Sequence, residues 1–416
     1  MKKIKILLLS NKKLVENFSY LTLLQFLNLL LPLVSYPYLV RTLGTSIYGK
    51  IVFATAILNY FTIFVSFGFS TSATKDVSVN RDNKEKLGEI ISSVLILRLI
   101  LFIITLFLVG LLLFLFEDAN NNKLLYLASL WVCLSEVLFP SFYFQGIEKM
   151  KYISIISFVV RLISTALLFV YVTTKDDYLM VPLLNLLSVL IAGVISFRII
   201  LVSHKIRLFI PDYIVIKGYF VDSMPIFLSN ASIQIYVSTN KVLIGLFLGM
   251  TEVSYYDLGE KLLNILKIPQ MILGQALFPK VSLEKNTSFL KKIFKYSMIL
   301  NILLFVGLAV FADQIIVLIA GKEMLSAKWV VIILGLTLPI IAASNIFGIL
   351  TLIPFGFNKV FSKIIMFSGL IFIVQFLFLW VFELITIYSL SSITVITELF
   401  VTFLMYYYCK KNNLWT

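Results

Sequence analysis

The sequence predicts an all-α membrane protein with twelve transmembrane helices in two six-helix lobes. The chain is 60% hydrophobic and only 13% charged, whereas soluble domains are nearer to half apolar and a quarter charged. Its apolar stretches are continuous and about 20 residues long, the length a helix needs to cross a membrane. The strands of a membrane barrel would instead alternate over about ten residues. Polar residues also recur at about half the chain length, which indicates an internal repeat.

Twelve apolar stretches of this length follow one another, and each predicts one span. Their bounds are residues 17–40, 47–70, 88–114, 124–145, 152–172, 179–201, 223–249, 254–280, 293–319, 328–352, 361–382 and 385–408. Residues 1–201 would form the first lobe, 202–222 a polar cytoplasmic connector, and 223–416 the second lobe. The remaining gaps are short, so we expect no soluble domain large enough to hold an active site.

Basic residues alternate between consecutive gaps, and this alternation predicts the orientation. Twenty-four of the 35 lysines and arginines fall in one alternate set of gaps and seven, including Lys261, in the other. Positive residues concentrate on the cytoplasmic side of membrane proteins, so we expect both termini in the cytoplasm. This asymmetry explains most of the net charge of +14, and we therefore expect no nucleic-acid partner.

A polar face recurs in two pairs of predicted spans. Gln25, Asn28, Pro32 and Ser35 in the first span correspond to Ser229, Ser232, Tyr236 and Thr239 in the seventh. Thr55, Asn59 and Thr62 in the second span correspond to Glu260, Asn264 and Lys267 in the eighth. Spacings of three and four place residues on one helix face. Such faces either hydrogen-bond between helices or line a wet cavity. Their repetition, and the ionisable Glu260 and Lys267, favour a cavity lined by spans one, two, seven and eight.

Other cations lie within or beside predicted spans, where a charge is costly and usually has a partner or faces a cavity. Lys241 either lines the cavity or pairs with an acid inside its own lobe. Arg98 and Arg161 are candidate partners of Glu136. Arg41, near the outer end of the first span, can instead extend its charge to the membrane surface.

Two carboxyl groups, Glu136 and Glu398, stand alone in mid-span. Together with Glu260 they are candidate proton or sodium sites for ion coupling. The alternative, supported equally well, is that each is a neutral carboxyl kept protonated by an apolar helix bundle. Prolines within the seventh and eighth spans, Pro225 and Pro269, predict kinks, since proline frees a backbone carbonyl.

Patterns typical of enzymes are absent or fail on inspection. Gly44–Lys50 fits the start of a phosphate-binding loop, but Ile51 stands where Ser or Thr would bind magnesium, and no strand precedes it. There is no C-x-x-C pair, no G-x-S-x-G turn and no histidine cluster. The single His204 falls in a predicted loop, where solvation is the usual state. We therefore expect a protein that is not an enzyme and has no metal or cofactor.

Several short sequences resemble those of a known family. Arg41–Gly49 resembles the R-x-L-G-x-x-x-Y-G turn of polysaccharide flippases. Phe67–Phe69, followed by Ala73–Lys75, resembles the end of their second span. Tyr255–Asp257, followed by Ala276–Lys280, is similar to their eighth. The whole chain resembles a Wzx-type O-antigen or polysaccharide repeat-unit flippase of the multidrug/oligosaccharidyl-lipid/polysaccharide exporter superfamily.

This resemblance implies a V-shaped pair of lobes around a central cavity in the bacterial inner membrane. The cargo would be an undecaprenyl-pyrophosphate-linked oligosaccharide, moved from the cytoplasmic to the periplasmic leaflet by alternating access. It also implies membrane lipid, a polysaccharide polymerase and a chain-length regulator as partners. A cation-coupled multidrug antiporter, a lipid II flippase and, less well supported, a membrane polysaccharide polymerase are the alternatives.

The cargo carries negative phosphates and many hydroxyl groups, and this predicts the residues that bind it. Lys267 is the candidate for the pyrophosphate, with Lys50 and Arg41 near the outer mouth. The full predicted set is Lys267, Asn264, Glu260, Gln25, Asn28, Asn59, Thr62, Lys50, Arg41 and Lys241.

Overall fold

The computed structural model describes residues 31, 32 and 34–415, and within that range every regular element is helical. The all-α prediction is thereby confirmed. Two residues of the predicted cargo site, Gln25 and Asn28, lie outside the described residues.

The first part of the chain forms helices separated by short turns. They are α1 (residues 34–43), α2 (Thr45–Ser66), α3 (Phe69–Val79), α4 (Lys84–Leu115), α5 (Glu117–Asn121), α6 (Lys123–Ser129), α7 (Trp131–Leu138), α8 (Ser141–Gly146), α9 (Met150–Tyr171), a 3-10 helix (Lys175–Leu179), α10 (Met180–Arg198) and a π-helix (Ile199–Ser203).

The second part continues in the same way after a nonhelical segment. Its helices are α11 (Tyr213–Phe247), α12 (Met250–Leu266), α13 (Ile268–Glu284), α14 (Thr287–Val310), α15 (Ala312–Ala320), a 3-10 helix (Lys322–Ala327), α16 (Lys328–Gly335), α17 (Thr337–Ser344), a π-helix (Asn345–Leu352), α18 (Asn358–Val381) and α19 (Ile387–Lys411).

Nine helical stretches among the described residues are long and apolar enough to cross a membrane, so the chain is a multi-pass membrane protein. They correspond to nine of the twelve predicted spans. Of the other three, span 17–40 lies mostly outside the described residues. Spans 223–249 and 254–280 are helical as α11, α12 and α13, but they carry more polar and charged residues than the other nine.

The eighth predicted span differs from expectation, because it is two helices rather than one. Helix α12 ends at Leu266 and α13 begins at Ile268, with Lys267 at the junction. Pro269 occupies the first turn of α13, where its missing N–H has no helical partner to lose. The helical assignment is therefore interrupted beside Pro269, where the sequence predicted a kink. Pro225, by contrast, lies inside α11, which is continuous from Tyr213 to Phe247.

The described chain divides into two compact units. The first contains the described residues up to Leu43 together with Ala54–Ala231, and the second contains Gly44–Phe53 together with the chain from Ser232 onward. The chain passes between the units at three points, which are Gly44 between α1 and α2, the middle of α2, and the middle of α11.

The first unit contains a stacked aromatic cluster. Phe67 stacks on Phe220 and on Phe227, with ring centroids 4.5 Å apart in each case. Gly68 follows at φ 77°, a left-handed conformation that glycine adopts without strain. This turn lets α2 end at Ser66 and α3 restart at Phe69.

His204 lies outside the helices, as predicted, but the expectation that its side chain is simply solvated was wrong. Its Nδ1 is 2.8 Å from the Tyr143 hydroxyl and its Nε2 is 3.2 Å from Lys149 Nζ. Partial burial lowers the pKa of His204 below its ordinary value, and the charges of Lys149 and Lys84 lower it further. The ring is therefore neutral at pH 7 and can accept a hydrogen bond from the Lys149 ammonium.

In the second unit, the start of α2 lies directly against the start of α12. A Cβ on Gly49 would stand only 1.7 Å from the carbonyl oxygen of Met250. The hydroxyl of Ser254 donates a hydrogen bond to the carbonyl of Thr45 in the same contact. Only glycine permits this approach, so Gly49 fixes the spacing of the two helices.

We predict that Gly49→Ala destabilises the protein by about 1–3 kcal/mol, the usual cost of overpacking, because the methyl group meets a backbone atom that cannot turn away. Thermal unfolding of the detergent-purified protein measures the change. Gly274→Ala in α13 is the matched control, since open space surrounds Gly274 and alanine favours a helix by about 0.5–1 kcal/mol. Equal midpoints for the two variants would contradict the contact.

Candidate functional site

Four charged side chains meet inside the second unit. Helix α12 presents Asp257, Glu260 and Lys261, which spacings of three and four place on neighbouring positions of one face. Helix α11 contributes Lys241, whose Nζ lies 2.8 Å from Asp257 Oδ1 and 2.6 Å from Glu260 Oε2. Asp257 is only 4% exposed. The alternative that Lys241 pairs with acids in its own lobe is confirmed.

The other oxygen of Asp257 is shared by α12 and the start of α2. Lys261 Nζ donates a hydrogen bond to Asp257 Oδ2 and another, 2.6 Å long, to the Tyr48 hydroxyl. That hydroxyl in turn donates to Asp257 Oδ2 at 3.0 Å. Lys261 was counted with the cations of an outer loop, and that assignment was wrong, because it lies within α12.

The cluster of Lys241, Asp257, Glu260 and Lys261 has two positive and two negative charges, so it is electrically balanced. Buried ions are tolerated when they are paired and their remaining hydrogen-bonding groups are satisfied. The lysines of this cluster are consequently occupied by its own carboxylates. A cargo anion could reach them only by displacing Asp257 or Glu260.

A neutral hydrogen-bonded layer lies beside the cluster and joins three helices. The amide nitrogen of Asn240, on α11, donates to Thr394 Oγ1 on α19 at 2.6 Å and lies 3.1 Å from the Tyr256 hydroxyl on α12. Asn240 is 1% exposed. This layer fixes the position of α11 against α12, and with it the position of Lys241.

Lys267 is placed differently from the clustered lysines. It is half-buried at the junction of α12 and α13. Glu398 and Glu260 act on it electrostatically, yet in the part of the chain that the structure describes it forms neither an ion pair nor a hydrogen bond. Asn264, three residues earlier, is exposed. Lys267 is thus an amine within the second unit whose donors are available to a ligand.

The described cargo candidates of the first unit differ in their contacts and exposure. Thr62 donates its hydroxyl to the carbonyl of Leu58, 3.1 Å away, and contacts Cys133 Sγ at 3.5 Å. Asn59 is half-buried and Arg41 is exposed. The hydroxyl of Thr62 is therefore used within the unit, whereas the surfaces of Asn59 and Arg41 remain partly accessible. Lys50, in the second unit, is also half-buried.

Glu136 pairs with Arg98, one of its two candidate partners. Arg98 is 1% exposed, and its Nη2 lies 3.1 Å from Glu136 Oε2 and 2.8 Å from Ser70 Oγ. Its guanidinium also donates to the backbone carbonyl of Glu136. This arrangement joins α3, α4 and α7 and favours a structural role for Glu136 over ion coupling. Arg161 forms no ion pair with Glu136.

Asp257 and Tyr48 were missed as site residues, although a signal for Asp257 was present. A lysine in mid-span requires a nearby acid, and Asp257 with Lys261 has the four-residue spacing of a helical ion pair. Tyr48 could not be found in this way, because it comes from a distant part of the chain. Among the described residues, no group of three or more His, Cys, Asp and Glu side chains is arranged to hold a metal.

A known family matches the greater part of this chain. The model of the family described as "Polysaccharide biosynthesis protein" matches residues 14–285. The chain belongs to this family. A "Putative O-antigen transporter" of Escherichia coli (strain K12) is 28% identical over 408 residues, which is 96% of this chain and 97% of that protein. A protein of the same name from Shigella dysenteriae is 24% identical over 365 residues, covering 86% and 90% of the two chains.

Solved transporter structures share the fold. The lipid II flippase MurJ in an inward closed conformation superposes with a TM-score of 0.71 and 16% identity, over 95% of this chain and 87% of that one. An inward-facing multidrug resistance MATE transporter of the MOP superfamily superposes with a TM-score of 0.66 and 15% sequence identity. The match covers 92% of this chain and 98% of that one. At these identities the likeness establishes the fold alone.

We predict that Asp257→Asn costs about 3–5 kcal/mol of stability, the usual effect of breaking a buried ion pair, because two lysines lose their shared carboxylate. Thermal unfolding in detergent measures the loss. Glu284→Gln is the control, since its pair with Lys280 is exposed and 3.9 Å long and such pairs contribute about 0–1 kcal/mol. A midpoint for Asp257→Asn no lower than that of the control would refute the cluster.

Proposed function

We propose that this protein is a flippase, and not an enzyme, for an undecaprenyl-pyrophosphate-linked oligosaccharide, an O-antigen or capsular repeat unit. It would move this lipid from the cytoplasmic to the periplasmic leaflet of the inner membrane. Membership of the polysaccharide biosynthesis family supports the pathway. The name of the two relatives supports O-antigen transport.

The observation that carries the proposal is the position of Lys267. A pyrophosphate headgroup must cross about 30 Å of hydrocarbon, and a cation on the route offsets its loss of water. Lys241 and Lys261 are occupied by Asp257 and Glu260. Lys267 has no such partner among the described residues, and it lies where the helix is interrupted. Helix interruptions in transporters are common sites of ligand binding.

The surroundings of Lys267 suit an anionic, hydroxylated ligand. Asn264 is exposed one turn away, so its amide can bind a phosphate or sugar oxygen. Glu398 and Glu260 are close enough to act on the Lys267 charge. They would balance it when no cargo is bound, and a proton or sodium ion that neutralises either acid would couple to cargo binding.

The proposal also retains the finer predictions made from the sequence. These are twelve spans in two lobes, both termini in the cytoplasm, alternating access, and partners in polymerisation and chain-length control. Its remaining cargo residues are Gln25, Asn28, Asn59, Arg41 and Lys50.

The nearest rival is a cation-coupled multidrug antiporter, because the MATE fold is shared. Such a protein needs acidic groups that are free to bind cationic cargo, whereas Asp257 and Glu260 are paired with Lys241 and Lys261 and the charge of Lys267 acts on Glu398. A lipid II flippase would differ mainly in its cargo. A polymerase is disfavoured by the short segments between described helices, of which residues 204–212 are the longest.

We predict that Lys267→Ala, expressed in a host that lacks its own copy of the gene, lowers surface polysaccharide about tenfold or more. This is the expected loss for one charge-assisted hydrogen bond to a phosphate. Lys267→Arg should retain most export, because it keeps the charge. Immunoblotting of surface polysaccharide at matched membrane protein levels measures the effect. Lys280→Ala is the control, since Lys280 is exposed and weakly paired. Normal export by Lys267→Ala would remove this residue from the mechanism.

A further inference from the structure

Helix α9 carries a polar stripe that the cargo hypothesis did not include. Between Ile153 and Val170, all its polar residues are Ser154, Ser157, Arg161, Ser164 and Thr165. At 100° per residue these five positions fall within a sector of about 100° centred near Arg161. Every other residue in this interval is apolar. The helix therefore presents one hydrophilic face with a single arginine at its centre.

The burial pattern shows that this face of α9 turns toward the interior of the first unit, and that the side chain of Arg161 is accessible. Ser154 and Leu168 lie seven residues before and after Arg161, almost directly above and below it on the same stripe. They are 3% and 6% exposed, whereas Arg161 itself is exposed. An accessible side chain between two buried ones on one stripe indicates a local recess. The opposite face carries Val159 and Ile163, both apolar and exposed.

Arg161 cannot reach the membrane surface from this position. Helix α9 has 22 residues, which gives a length of about 33 Å, close to the thickness of the hydrocarbon core. Arg161 lies eleven residues after Met150 and ten before Tyr171, roughly 15 Å from either end. That distance exceeds the reach of one side chain, so extension to the headgroups does not explain this arginine.

No acid neutralises Arg161 within the described chain. The carboxylate of Glu136 is held by Arg98, and Arg161 is absent from the ion pairs formed by residues 34–415. A charge in mid-membrane without a protein partner is by default a functional group. Helix α9 also lies beside α1, since the Tyr38 ring is 4.7 Å from Phe169 and its hydroxyl donates to the Val172 carbonyl at 2.6 Å.

We propose that Arg161 is an oxyanion-binding residue on the cargo path of the first unit. This inference rests on the proposed function and adds a cargo contact to it. A guanidinium presents paired N–H donors that match two oxygens of one phosphate or carboxylate. The hydroxyls of Ser157 and Ser164 lie on the same face and extend the polar surface. The oxyanion is either a phosphate of the carrier lipid or the carboxylate of an acidic sugar.

Thiol accessibility tests the recess directly. Arg161→Cys, in membranes of the full-length protein, should react with a charged, water-soluble methanethiosulfonate. Ile163→Cys, on the apolar face, should stay unreactive. The native thiols Cys133 and Cys409 are buried and give little background. Equal inertness of the two cysteines would show that Arg161 faces lipid and would overturn the proposal.

Binding and export test the ligand class. We expect Arg161→Gln to weaken binding of a short-chain polyprenyl pyrophosphate, followed by thermal shift, about tenfold or more. Export should fall with it, while Arg161→Lys retains part of both. Polyprenyl alcohol should not bind. If glucuronate, rather than the pyrophosphate, loses affinity in Arg161→Gln, the oxyanion is a sugar carboxylate. Arg198→Gln, at the exposed end of α10, is the matched control.

Two outcomes separate this inference from the proposed function. If Lys267→Ala abolishes export and Arg161→Gln exports and binds like the parent protein, the Arg161 proposal is wrong and the flippase proposal stands. If the parent protein binds neither the polyprenyl pyrophosphate nor glucuronate and exports nothing, both proposals fail together.

Discussion

The cost of placing a charge in hydrocarbon determines how the polar interior of this protein is built. A buried ion loses its hydration, and only a partner of opposite charge with good geometry repays that loss. The second unit meets this condition with Asp257, which binds Lys241 through one oxygen and Lys261 through the other. The first unit meets it with Arg98 and Glu136. The arrangement around Asp257 joins the consecutive helices α11 and α12, and the pair of Arg98 and Glu136 joins α4 and α7.

The same constraint separates structural charges from functional ones. Lys241, Lys261 and Arg98 have their partners within the fold, so they contribute to its stability. Lys267 and Arg161 have none among the described residues, and both lie in or beside a polar stretch of an otherwise apolar helix. Their energetic cost persists unless a ligand with negative charge occupies the site. The lipid-linked oligosaccharide of the proposed function has that charge on its pyrophosphate.

Much of the fold was predictable because hydropathy and length determine which segments cross the membrane. The break at Lys267 followed from Pro269, which cannot supply a helical N–H. The partner of Lys241 was predicted only as an acid. Its identity depends on how α11 packs against α12, and sequence spacing alone does not specify that. Lys261 was assigned to a loop because cations were counted between predicted spans, without asking which helix face each one occupies. The spacing of Lys261 from Asp257 places both on one face of α12.

The cargo residues were harder to predict than the spans. Asn59 and Thr62 share a predicted face, yet the Thr62 hydroxyl donates a hydrogen bond to the Leu58 carbonyl and contacts the Cys133 thiol. Sequence periodicity does not reveal hydrogen bonds of this kind. Arg161 was named together with Arg98 as a candidate partner of Glu136, because all three are isolated charges in predicted spans. The structure shows that Arg98 forms the ion pair with this carboxylate. That pairing depends on how α4 packs against α7, which the sequence does not specify.

Reconstitution tests the central claim most directly. The purified protein in liposomes should move a fluorescent polyprenyl-pyrophosphate-linked oligosaccharide between leaflets, so that a membrane-impermeant quencher gains access to lipid that was protected at the start. The account predicts protein-dependent loss of the protected fraction, and none for the same lipid without its phosphates. Liposomes that contain the protein but translocate no pyrophosphate-linked sugar, while exchanging cationic drugs for protons or sodium, would contradict it.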